Sequence, residues 1–349
     1  PNTLQYGVYS TSQGTGAVTA TNNGAIGSAT DRATTVGVGS TINNGASTAN
    51  VLLNGSGAVF TGPTALAGLF ANNVGSGTTT VTYIGAVNAV GGVGVLANSQ
   101  AGALNVSTGA VTNTLGDGID ANSTTGNQTI TNTGAVSASA IGINAISTSG
   151  TIGVTAAQSV TTTGSGAAIS LTSAGNRSVT VNTGATVNSA TASDIVTSGA
   201  GTTTVTNNGT IGGAGQTGNA VFTTSTADGA VTVNNNVGGT INGALNLTSN
   251  VDTLINAGTF STGATGSTFL FGGNDLIQNN SGGIINLNGA GIDFGVGTDA
   301  LVNNSGGIIN VNANTTLAGL ETLTQNGRIN MAAATTLTGP AIAFVNGAT

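Results

Sequence analysis

The sequence predicts an all-β chain wound as a parallel β-solenoid, a right-handed β-helix with a single strand per rung and about 25 residues per coil. Three observations predict it. A phrase recurs 24 residues apart in the last third of the chain, two columns of apolar residues keep a shared period, and the residue alphabet suits many thin strands better than one thick core.

The repeat is plainest where Gly273–Asn288 reads GNDLIQNNSGGIINLN and Gly297–Asn312 reads GTDALVNNSGGIINVN, with 11 of 16 positions identical. Weaker versions of the phrase run back through the chain as LINAGTF (Leu254–Phe260), VTNNGTI (Val205–Ile211) and ITNTGAV (Ile130–Val136).

Taking the apolar residue that follows each turn glycine gives a first column: Val87, Val111, Val136, Val160, Val187, Ile211, Ile241, Phe260, Ile285, Ile309 and Ile329. A second column runs through Val95, Ile119, Ile143, Ile169, Ile195, Val221, Leu245, Leu270, Ile292 and Leu317. Irregular steps, such as Ile211 to Ile241 followed by Ile241 to Phe260, read as small insertions in turns. Two columns with one period are expected when each coil contributes two or three short strands and returns to stack on itself. At one interstrand spacing per coil, ~14 coils make a stack roughly 65 Å long. Elongation then accounts for 349 residues as one solenoid spanning 1–349, without a second domain. Within it, 58–80 reads as an irregular insertion, because Thr61–Asn73, with Phe60, Pro63, Leu66, Leu69 and Phe70, breaks the phrase.

The alphabet fits this winding. Alternate Val, Ile and Leu side chains point into a narrow core and lie over their counterparts one coil away. Corners need sharp turns, often at positive φ, which Gly and Asn tolerate; the NG, NNG and NSGG phrases follow from that. Stacked amides such as Asn280 and Asn304 bond along the column and satisfy corner polar groups. Gly, Asn and Thr density leaves no apolar helical period.

At this point the chain resembles the passenger regions of bacterial autotransporters and related large surface adhesins, whose repeats read TNNGTI or NDTLxNxGxI. Val205–Ile211 and Asp275–Ile285 carry the likeness, which spans roughly 18–331. The resemblance implies an extracellular location on the bacterial outer surface, with a separate outer-membrane barrel following in the precursor. It further implies export unfolded and folding outside the cell. Pro1 is an unusual residue to follow a signal cleavage, so the sequence is expected to begin inside a longer precursor or after other processing.

Composition also excludes chemistry. There is no Cys, His or Trp, the only basic residues are Arg32, Arg177 and Arg328, and the net charge is −7. Without a basic stripe, nucleic acid and anionic membrane surfaces are poor partners. No stretch of 18 apolar residues forms a transmembrane helix: the nearest, Ala86–Ala97, is interrupted by Asn88 and glycines. Polysaccharide cleavage needs clustered carboxylates beside a basic group, and a nucleophilic triad needs an activating base; neither set is present. A phosphate loop would need a lysine after its glycines, and the chain has none. No catalytic residue and no cofactor are therefore predicted.

One constellation stands out. Asp252, Asp275, Asp299 and Glu321 occupy nearly the same place in four consecutive coils. Stacked carboxylates about 5 Å apart repel, so a cation such as Ca²⁺ could bind between them with turn carbonyls, making this a candidate weak metal column. The plainer reading is a solvated acidic edge that keeps a nearly neutral rod soluble. Asp117 and Asp120 carry the same two readings. Thr-x-Thr phrases at Thr80–Thr82, Thr129–Thr131 and Thr204–Thr206 suggest an ice-ordering face, or more simply the outside of strands. Sequons at Asn105, Asn122, Asn246 and Asn314 are what this composition produces by accident.

The expected function is therefore a non-enzymatic structural or adhesive element of the bacterial cell surface. Its expected partners are further copies of itself, surface glycans, or host and neighbouring cells. A filament subunit built by end-to-end stacking is the alternative, and a polysaccharide-active or ice-binding solenoid is the less supported one.

Overall fold

The computed structural model describes residues 6–213, 218–263, 268–340 and 342–346, and divides into two compact units, Pro1–Arg177 and Ser178–Thr349. Both units are wound as β-solenoids of parallel strands, and no helix occurs among the described residues. Each regular turn carries three strands, one on each of three parallel faces, within the two or three per coil that the shared period of the columns predicts. The face that neither column marks also carries buried apolar residues in register, such as Val81, Val106, Ile130 and Val154, between its buried polar positions.

In the first unit, face one runs through Tyr6–Ser12, Val36–Ile42, Ala67–Asn73, Val93–Ser99, Asp117–Ser123, Ile143–Ser147 and Ile169–Thr172. Face two holds Val18–Asn22, Val51–Gly55, Thr79–Tyr83, Leu104–Thr108, Gln128–Asn132 and Ile152–Ala156; face three holds Val59–Thr61, Val87–Ala89, Val111–Asn113, Val136–Ala138 and Val160–Thr162. The first column lies on face three, where Val87 pairs with Val111, Val111 with Val136 and Val136 with Val160. The second lies on face one, with Val95 paired to Ile119, Ile119 to Ile143 and Ile143 to Ile169. All of these side chains are buried, as alternation on a pleated strand requires.

The expected insertion at 58–80 is corrected. Val59–Thr61 pairs in register with Val87–Ala89, Ala67–Asn73 pairs with Val93–Ser99, and Val51–Gly55 pairs with Thr79–Tyr83. The segment lacks the Asn-Gly phrase but keeps the burial pattern, with Leu69 stacked between Val38 and Val95. Early coils are long, since Tyr6 pairs with Val36 and Val36 with Ala67. Counted on face three among the described residues, the first unit has five turns and the second seven, fewer than the ~14 expected.

In the second unit, the first column continues in register: Val187 with Ile211, Ile211 with Ile241, Ile241 with Phe260, then Ile285, Ile309 and Ile329. The uneven steps are absorbed in turns, as expected. The second column holds at Ile195, Val221 and Leu245, and again at Ile292 and Leu317. At Leu270 it is corrected: Asn246 pairs with Phe269 and Thr268 with Ile292, so buried Thr268 occupies the column, and its Oγ1 accepts from Leu245 N at 3.3 Å. Leu270 is buried one pleat further on. The last face-one strand, Thr335–Gly339, pairs antiparallel with Ile342–Asn346.

Corner glycines have two physical causes. Gly282 and Gly306 adopt φ of 81° and 82°, the left-handed turn predicted for NSGG. A second set, between faces one and two of the first unit, answers to close approach instead. A Cβ on Gly102, Gly126 or Gly150 would lie 2.0, 1.9 or 2.1 Å from the carbonyl oxygen of the glycine one coil back.

Polar ladders line the corners. The outer pair Asn304 and Asn280 is joined at 3.0 Å, as predicted. A longer inner ladder runs Asn207, Asn235, Asn256, Asn279, Asn303 and Gln325, each amide donating to the next side-chain oxygen at 2.7–3.0 Å. Each of these five asparagines also donates to a backbone carbonyl at the following turn, for example Asn279 to Ile308 O. In the first unit, buried Tyr83 closes another corner by donating to Gly57 O at 2.6 Å and accepting from Asn22 Nδ2 at 2.9 Å. Tyr83→Phe leaves that carbonyl without its donor and is expected to cost about 1–3 kcal/mol in urea unfolding. A loss within a few tenths of a kcal/mol would show that the hydroxyl contributes only volume.

Candidate functional site

Outward strand positions supply the surface that any ligand meets. On face two of the first unit, Thr80 and Thr82 stack on Asn105 and Ser107, and these on Thr129 and Thr131. Neighbouring rows lie one interstrand spacing apart, ~4.8 Å, and side chains two residues apart on a strand project to the same side. The result is a flat face of hydroxyls and amides with a shallow depression of about 210 Å³ over its centre. The Thr-x-Thr phrases are thus brought together, but not as an unbroken threonine array: Asn105, Ser107 and Gly153 interrupt it. In the second unit, Thr204 and Thr206 pair with Thr232 and Asn234, after which the rows turn to Ile255, Leu276 and Val302.

A larger open depression, about 350 Å³, lies along the corner after face one, where Asn72, Asn98 and Asn122 stack in register. Asn122 Nδ2 donates to Asn98 Oδ1 at 3.2 Å. Beneath them Asn73, Ser99 and Ser123 bond corner carbonyls at Gly77, Gly102 and Gly126. In sequence Asn122 stands out only as a sequon, and the stacking of Asn72 and Asn98 depends on the regular register of 67–73.

Asp252, Asp275, Asp299 and Glu321 do form one column, each acid just before a face-two strand. Its burial departs from the solvated-edge reading of the sequence. Asp252, Asp275 and Asp299 are at most 1 % exposed, so the column is not a solvated edge. Each carboxylate accepts a backbone N–H from the coil before it: Val231 N to Asp252 Oδ1 at 2.6 Å, Asp252 N to Asp275 Oδ1 at 2.7 Å, Asp275 N to Asp299 Oδ1 at 2.6 Å, and Asp299 N to Glu321 Oε2 at 2.8 Å. Asp252 is further bonded by Thr248 N and Thr248 Oγ1. The second oxygens of Asp275 and Asp299 are buried without a partner. Among the described residues, no three acidic side chains converge as a metal ion would need. One oxygen of each acid faces a backbone donor, an arrangement suited to hydrogen bonding more than to a shared cation.

Most of the other charged groups bond the backbone. Asp117 Oδ1 accepts from Ile141 N at 2.7 Å. Asp120 is pushed up to about 6, first by burial and then by the Asp117 charge. Asp194, buried and accepting Ser189 N at 2.7 Å, is pushed up to about 8 by burial. Arg32 donates to Thr61 O and Asn88 O and lies 5.6 Å from the centre of the Phe60 ring. Buried Arg177 bonds Ser173 O. Of the sequons, Asn105 stands exposed on face two and Asn314 accepts from Thr336 N.

No protein-family model matches this chain, and no curated protein or solved structure is significantly similar to it. The three parallel faces therefore rest on the repeat and its geometry alone. No helix among the described residues is long and apolar enough to cross a membrane.

Proposed function

We propose that the chain is a non-enzymatic structural or adhesive element of a bacterial cell surface, related in kind to autotransporter passengers and large adhesins. One observation carries the reading: the first unit presents a flat, uncharged hydroxyl and amide face, Thr80 to Thr131, on a backbone held by in-register parallel pairing. Such a face bonds the hydroxyls of glycans without needing charge, and rows of short side chains lose little freedom on contact. The chain's acids support the same reading, because those of the interior column bond backbone N–H groups.

The test is adhesion of protein-coated beads to bacterial and epithelial cells, with and without Thr82→Lys, Ser107→Lys and Thr131→Lys together. The expected result is binding that falls at least tenfold in the triple variant. Binding that is absent, or unchanged by the three lysines, removes this face as the adhesive element. Negative-stain images of the same protein are expected to hold discrete particles; long uniform fibres would favour the filament subunit instead.

A further inference from the structure

Three buried acids and a fourth at their end are stacked in a chain that contains no lysine or histidine. The geometry points to a proton-loaded ladder: Asp252, Asp275 and Asp299 enter the folded C-terminal unit as neutral acids, so that this unit is stabilised by acidic surroundings and loosens as the solution turns alkaline. A neutral carboxyl keeps one oxygen for the incoming backbone N–H and carries its proton on the other. That matches the unpartnered Oδ2 atoms of Asp275 and Asp299, where an ionised oxygen would be buried with neither donor nor counter-charge. Successive carboxyls lie about one interstrand spacing apart, near 4.8 Å, a separation at which adjacent negative charges repel strongly in a dry interior.

The surroundings offer no relief. Asp275 feels the charges of Asp252 and Asp299, and Asp299 that of Glu321. Before the column, Asp228 is engaged with Gly199 N, Ser225 N and Thr224 Oγ1, and on face one Asp293 accepts from Gly295 N. The second unit's arginine, Arg328, is exposed on face three and donates to Asn330 Oδ1. Burial raises the pKa of Asp252, Asp275 and Asp299 in each case, outweighing the backbone hydrogen bonds that lower it, and Asp275 reaches about 7.

The sign follows from proton linkage. Between the ordinary carboxylate range near 4 and the folded value near 7, the folded state holds protons that the unfolded chain releases, so stability falls as pH rises through that window. Below it the contribution is complete.

The experiment follows the thermal midpoint of the whole chain by circular dichroism from pH 5 to pH 9, for the natural sequence and for Asp275→Asn with Asp299→Asn. Asparagine keeps the acceptor oxygen and removes the titration. A fall of about 5 °C or more is expected for the natural sequence between pH 5 and pH 8. The double variant should show a clearly flatter profile, its remaining slope belonging to Asp252, Asp194 and Asp120. Should the variant not fold, infrared spectra of the natural protein at pH 6 decide: the protonated-carboxyl band must exceed what Asp120 and Asp194 supply. A flat natural profile, parallel profiles, or a band no larger than those two acids give would overturn the ladder. So would a midpoint at pH 8.5 that millimolar Ca²⁺ restores and a chelator abolishes, since a cation would then hold the column.

Discussion

Gly126→Ala is expected to destabilise the first unit by about 3 kcal/mol or more, the cost of forcing a methyl group into a stack that has no room for it. The added Cβ would lie 1.9 Å from Gly102 O and 2.7 Å from Gly102 C, which are backbone atoms and cannot rotate aside. Relief requires the coils to separate, and that stretches the parallel pairing of Gln128–Asn132 with Leu104–Thr108 on the adjoining face. Gly102 and Gly150 face the same obstacle, so each alanine should cost a similar amount. Equilibrium denaturation reads the loss directly. A cost below 1 kcal/mol would mean that the corner opens easily and that in-register packing there is loose. Gly184→Ala makes the contrast: nothing lies near its Cβ, but its φ of 82° is strained for alanine, so its cost should be about 1–2 kcal/mol and come from backbone conformation alone.

Asn279→Ala is the second large effect. Its amide donates to Asn303 Oδ1, Ile308 O and Gly283 O, and its own oxygen accepts from Asn256 Nδ2. Removing it breaks the ladder in the middle and leaves buried groups on three coils unpaired, each worth about 1–3 kcal/mol. Rearrangement recovers part of this, so a net loss of about 3 kcal/mol in denaturant unfolding is expected. Asn280→Ala, one residue along on the outer ladder, should cost well under 1 kcal/mol because water replaces its partner Asn304. Equal effects at the two positions would refute the distinction between inner and outer ladders.

These residues also mark how far the sequence could be read. The columns Val87 to Ile329 and Val95 to Leu317 were legible because one large β-branched or aliphatic residue recurs per coil at a position that pairing keeps in register. The third strand of each turn was less plainly marked, since only one of its inward positions, Val81, Val106, Ile130 or Val154, stays apolar from coil to coil while those flanking it vary through Thr79, Thr108, Gln128 and Asn132. At 58–80 the absence of an Asn-Gly phrase hid a regular coil, whose corner carbonyl at Gly57 is instead held by the Tyr83 hydroxyl. Leu270 failed as a column member because its neighbours shift by one pleat, which places Thr268 over Ile292.

The acidic column gives the clearest limit. Its alignment was visible in the spacing of Asp252, Asp275 and Asp299, but not its burial, because an acid one residue before a strand can face either way. Only the backbone N–H groups of Val231, Asp252 and Asp275, each directed at a carboxylate oxygen one coil later, fix it as interior. The corner glycines carry a related lesson. Composition suggested turns at positive φ, which holds at Gly282 and Gly306, whereas Gly126 is required by contact between coils.

Through-space NMR contacts among isoleucine δ-methyl groups test the winding itself most directly. Cross-peaks are expected from Ile285 to Ile309 and from Ile309 to Ile329, residues far apart in sequence and paired in register on one face. If Ile309 shows contacts with neither Ile285 nor Ile329, successive laps do not lie over one another and the parallel stack is contradicted.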